Sequence, residues 1–194
     1  NLTVADTNTA VGASAMYTNS TGDRNVAVGY EALYSFQVGA DSFNSALGYQ
    51  AGRGLSTGQL NTFLGGEAGK GVTTGASNVA VGVAAMAVGT SASNCVCVGK
   101  DAGVNITTGG GNTFVGEDAG DTATTGYANI CIGEDSDVDS AGRVRAVVIG
   151  QAAGTIAQNN TFRAIGDSGC FNSANTSTWS TTSDERIKKN IVDH

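Results

Sequence analysis

The chain has 194 residues, with 17 acidic and 10 basic side chains for a net charge of −7, no proline and 29 glycines. An acidic balance without a basic stripe argues against nucleic-acid binding; no stretch reaches the apolar length of a membrane span, and no signal peptide is visible. Proline would delete a ladder hydrogen bond anywhere in a β-array, so its absence fits continuous strand stacking.

Glycine recurs at Gly12, Gly29, Gly48, Gly65, Gly82, Gly99, Gly116, Gly133, Gly150 and Gly166, at a step of 17 residues apart from one of 19 and a last one of 16. A fixed step of this size marks a solenoid, in which each repeat buries its apolar side only by stacking on its neighbours. The aligned repeat reads Asn, any residue, a small residue or Phe, an aliphatic, Gly, two variable residues, Ala, and later a Thr-Thr-Gly corner. Its clearest copies begin at Asn61 and Asn112. The four residues before each glycine read as a strand, and no helical period accompanies them. The expected architecture is an all-β solenoid or β-roll of about 17-residue coils over 1–166, then a Ser/Thr/Asn-rich junction over 167–182 and a distinct segment over 183–194.

Strand alternation puts Ala27, Phe63, Cys97, Phe114 and Cys131 on one face and Val79, Val81, Ile130 and Ile132 on the other. A strand apolar on both sides needs cover on both sides, once from its own coil and once from something else. A sister chain is the expected cover, which makes lateral association part of the expected architecture. Whether coils stack within one chain or three chains interwind is left open by the pattern. The alanine three residues after each glycine, as in Ala68 and Ala119, is expected where coils or chains approach closely.

Asn8, Asn25, Asn44, Asn61, Asn78, Asn112 and Asn129 stand at the strand entries, with Cys95 and Ala146 breaking the row. Stacked Asn side chains can hydrogen-bond from coil to coil, so the row reads as a structural ladder rather than a binding site. Cys97 and Cys131 lie two coils apart with Phe114 between them, roughly 9–10 Å, beyond disulfide reach. Buried free thiols, and assembly in a reducing cytosol, are the expectation. Asp101, Glu117, Asp118, Glu134 and Asp135 line up after successive glycines. They read as a solvated charged edge rather than a cation site, because no calcium-loop pattern accompanies them. No metal or other cofactor is expected. The carboxylates follow the repeat rather than pairing across a groove, which argues against a glycan-cleaving enzyme. A single outward Thr row falls short of an ice-binding face.

The segment Ser183-Asp184-Glu185-Arg186-Ile187-Lys188-Lys189-Asn190-Ile191 resembles the opening of the self-cleaving C-terminal intramolecular chaperone domain, a peptidase family found on phage tail spikes, neck appendages and endosialidases. The resemblance implies a domain that trimerises, drives folding of a β-helical stalk and then releases itself through a Ser and Lys dyad. By position, Ser183 is the implied nucleophile and Lys188 its base, acting only in a precursor that carries the rest of that domain. The array is similar to the repeats of viral fibre proteins and to the heads of trimeric autotransporter adhesins, both homotrimers. The resemblance thus implies a phage or viral fibre segment, a stiff spacer or host-attachment element assembled in the host cytoplasm and carried on the virion. Its implied partners are sister chains, other virion proteins and a host receptor or glycan. A bacterial adhesin head on the cell surface is the alternative. A chain beginning Asn-Leu-Thr is expected to be a fragment or processed product.

Overall fold

The computed structural model describes residues 5–37, 41–151, 159–164, 170–172 and 180–181. They form one sheet of twelve short strands in sequence order, with no helix among the described residues. Strands β1 (Thr9–Val11), β2 (Val26–Val28), β3 (Ser45–Leu47), β4 (Thr62–Leu64) and β5 (Val79–Val81) pair in parallel, each with the next. The stack continues through β6 (Val96–Val98), β7 (Thr113–Val115), β8 (Ile130–Ile132), β9 (Val147–Ile149) and β10 (Phe162–Ala164). Each strand pairs with the equivalent residues of the next repeat, so the coils stack within one chain and the expected β-solenoid is the fold. Nine steps of ~4.8 Å make the stack about 43 Å long. Beyond it, β11 (Cys170–Asn172) and β12 (Ser180–Thr181) add antiparallel strands inside the segment read as a junction.

The middle residue of each strand from β2 to β9 is buried, and its two neighbours point outward. Inside, large and small side chains compensate within a coil or between adjacent coils, as where Phe63 and Leu33 reach over Gly52 in the coil centred on Ala46. Phe63 and Phe114 fill their coils, and the positions six residues on are Gly69 and Gly120, where a Cβ would run into those rings. Where the strand centre is only Ala27 or Ala80, the same position carries Leu33 or Met86, fully buried. The alanine row is also interior: Ala32, Ala51, Ala68, Ala85, Ala102 and Ala119 have no exposed surface, and Ser136 takes the same place in the next coil. These alanines therefore lie inside their own chain and need no second chain to cover them.

Turning the chain through a coil in 17 residues requires left-handed backbone at several corners. Glu67, Ser77, Met86 and Asp101 adopt φ of 61°, 58°, 56° and 54°, at about 1–2 kcal/mol for each residue with a side chain. Ladder bonds offset that cost: Glu67 N–H donates to Tyr49 O at 2.7 Å, Ser77 N–H to Gln59 O at 2.9 Å and Asp101 N–H to Val83 O at 2.9 Å. The glycine after each strand has a sharper requirement. Gly99 sits at φ +137°, and a Cβ there would strike the Gly116 carbonyl of the next coil. Conformation and close backbone approach together explain why the periodic residue is glycine.

The expected asparagine ladder forms from coil to coil. Asn61 Oδ1 accepts from the backbone N–H of Asn78 at 3.0 Å and from its Nδ2 at 3.1 Å, while Asn61 Nδ2 donates to Asn44 Oδ1 and to Gly75 O. At the two breaks the asparagine oxygen still accepts: Cys95 N–H donates to Asn78 Oδ1 and Ala146 N–H to Asn129 Oδ1, both at 3.0 Å. The Cys95 thiol lies 3.6 Å from Gly109 O, in the place of the missing amide. The first threonine of each corner also has structural work, with Thr73, Thr90 and Thr107 hydroxyls donating to the equivalent carbonyls one coil on.

Candidate functional site

The chemistry that singles itself out is on the outer side of the strands. The aliphatic residue before each glycine points outward in every coil from β1 to β9, and Val11, Leu47, Leu64, Ile132 and Ile149 are exposed. Beside it runs a second outward row of Val26, Ser45, Thr62, Val79, Val96, Thr113, Ile130 and Val147. The two rows make a flat face without a charged side chain from β2 to β9. With a width near 10 Å and seven coil steps it spans roughly 340 Å², interrupted in one row by Ser45, Thr62 and Thr113, and an exposed apolar patch of that size on a single chain is often functional.

Acidic residues border this face. Lys100 Nζ lies 2.9 Å from Glu117 and 3.1 Å from Asp101, bridging two coils. Both carboxylates hold the Lys100 ammonium above its usual range, the bond to Glu117 contributing most. Gln151 likewise donates to Glu134 at 2.8 Å. Burial raises the carboxyl of Asp118. Among the described residues no group of three or more His, Cys, Asp or Glu side chains is arranged to hold a metal ion.

A different arrangement occupies the coil after β8. Most coils close this corner with a backbone bond to the next coil, such as Gly71 N–H to Ala87 O and Val88 N–H to Val104 O. Here the Thr122 N–H donates instead to the Asp137 carboxylate at 3.0 Å, and Val138 N–H donates to the same side chain at 2.7 Å. Burial, followed by a hydrogen bond with Asp121, pushes the Asp137 carboxyl up to about 7. Asp139 pairs with Arg143 on the same loop. The sequence gives no sign of this substitution of a side chain for a ladder bond, because Asp137 resembles any other loop acid.

Cys95, Cys97 and Cys131 are free and buried, as expected from their coil spacing. Burial pushes the Cys131 thiol up to about 12 and raises that of Cys97, so neither supplies a thiolate nucleophile near neutral pH. Ser183 and Lys188 lie outside the described residues, together with the whole segment 183–194. Gly166 is outside them too. No family model, no curated protein and no solved structure matches this chain.

Proposed function

We propose that the chain is a structural segment of a phage or viral fibre, a homotrimer of β-solenoids that serves as a stiff spacer or host-attachment element. One observation carries the reading: the outward aliphatic row continues through nine successive coils, although the coil itself is already closed by its interior column. A partner for that row must present apolar groups at the same axial pitch over some 40 Å. Another copy of this chain meets that requirement in every coil. The solenoid then works through backbone hydrogen bonding and small-residue packing, without catalysis.

The chaperone resemblance of Ser183 to Ile191 supplies the second half of the proposal, a precursor that trimerises and trims itself through Ser183 and Lys188. The virion is the corresponding location, and a bacterial adhesin head the alternative within the same trimeric architecture. Sedimentation equilibrium at micromolar concentration tests the assembly: the expected species has three times the chain mass, and a monodisperse monomer ends the fibre reading. Mass spectrometry of a longer precursor carrying the complete C-terminus tests maturation. Cleavage beside Ser183, lost in Ser183→Ala and Lys188→Ala with the trimer retained, is expected; an intact folded wild-type precursor removes self-processing.

A further inference from the structure

Four of the five tyrosines sit together on coils one to three, a departure that coil stacking does not demand. They form two short ladders. Tyr17 stacks on Tyr34 with ring centroids 5.2 Å apart, and the Arg53 guanidinium continues that column, 5.5 Å from the Tyr34 ring. Tyr30 stacks on Tyr49 at 5.6 Å, and nothing continues the second column. The next place in it is Gly66, where an added Cβ would meet no atom within 4 Å. One coil further stands Val83. Tyr49, Gly66 and Val83 are in line, as the ladder bonds from Glu67 N–H to Tyr49 O and from Ala84 N–H to Gly66 O establish. Elsewhere this column is bridged from coil to coil, by Lys100 with Glu117 and by Glu134 with Gln151. The surface therefore has a slot one coil wide, walled by Tyr49 (53% exposed) and Val83 (57% exposed) and floored by glycine.

From this geometry we infer a binding slot for one pyranose residue of a glycan. The backbones that carry the two walls lie two coil steps apart, about 9.6 Å. A flat ring touching carbon on both sides needs about 7–8 Å, so the slot is loose for a planar base or indole and matches the greater thickness of a puckered sugar. The negative face of the Tyr49 ring attracts the polarised C–H groups on the apolar side of a pyranose. Hydroxyl groups need a few convergent polar partners. The coil that floors the slot supplies them in Glu67 and Lys70, whose 3.2 Å ion pair remains partly exposed. The slot belongs to one chain and does not rest on the fibre reading.

Saturation-transfer NMR and titration calorimetry on the full chain, with the methyl glycosides of glucose, galactose and N-acetylglucosamine at millimolar concentration, test this. Adenosine serves as the planar control. At least one glycoside is expected to bind through its ring C–H groups. Tyr49→Ala should weaken that binding about tenfold or more. Gly66→Tyr should abolish it, since the new ring occupies the slot and extends the Tyr30–Tyr49 ladder in open space without disturbing the fold. No transfer to any of the three glycosides, binding of adenosine alone, or sugar binding unchanged in a folded Gly66→Tyr protein overturns the inference. A monomer that binds sugar preserves it while ending the fibre reading, and a trimer that binds none does the reverse.

Discussion

The two sides of one strand have different dependencies. On the inner side of β7, Phe114 is fully buried against Gly120 and Gly103 of its own chain, and every contact it needs is supplied by neighbouring coils. On the outer side, Thr113 and Val115 belong to rows that the chain leaves uncovered. Both sides carry apolar residues at the same period, but only the inner one is used to close the coil. Periodicity alone thus does not separate what folds a solenoid from what assembles it; burial does.

Substitutions on the inner side and in the ladders should damage the isolated chain, and their outer counterparts should not. The largest effect is expected at Gly99→Ala, where left-handed strain and collision with the Gly116 backbone combine to about 2–6 kcal/mol. Chemical denaturation of the variant measures it. Phe114→Ala should cost ~3–5 kcal/mol, because the flanking glycines cannot move in to fill the cavity. Asn61→Ala removes the acceptor for two Asn78 donors and the donor to Gly75 O, for about 2–4 kcal/mol, with amide exchange rising first at Asn78. Leu64→Thr, on the outer row, should change single-chain stability by less than ~0.5 kcal/mol. A cost there as large as at Phe114 would erase the distinction between the two sides.

The corner at Asp137 sharpens the comparison from another direction, as an inner position where a titratable group has replaced a backbone bond. Its folded carboxyl is raised to about 7, above the ordinary value of 3.8. The proton bound in the fold therefore contributes stability that is fully present below pH ~4 and lost as pH rises through about 7. Asp137→Asn, permanently neutral, should gain melting temperature relative to the parent across that window. Equal differences at pH 4 and pH 8 would mean that the carboxyl is not held protonated.

Much of this was legible in the residues. The glycine step gave the coil, and alternation correctly placed Phe63 and Phe114 opposite Val79 and Ile132, because each strand is a rigid two-sided element. The Asn row was readable as a ladder since amides at one-coil spacing can meet only in one way. The corners were not readable. Leu60, Met86 and Arg24 lie in left-handed backbone that their side chains disfavour, and only the stacked coils impose it. The Tyr49 slot was equally hidden, since it depends on what one coil lacks at Gly66 rather than on any motif. The Ser183 and Lys188 pair falls outside the described residues, so its reading rests on the sequence resemblance.

The proposed assembly is tested most directly by thiol cross-linking of Leu64→Cys and, separately, Thr108→Cys, one on the outward strand face and one on an exposed corner, using a short bifunctional maleimide on the native protein. Equivalent Leu64 positions from three chains should meet near a common axis, so Leu64→Cys is expected to yield covalent dimers, the most a two-armed linker can join through one thiol per chain, while Thr108→Cys stays monomeric on a denaturing gel. Efficient linkage through Thr108→Cys with none through Leu64→Cys would show that the outward aliphatic face is not where chains meet.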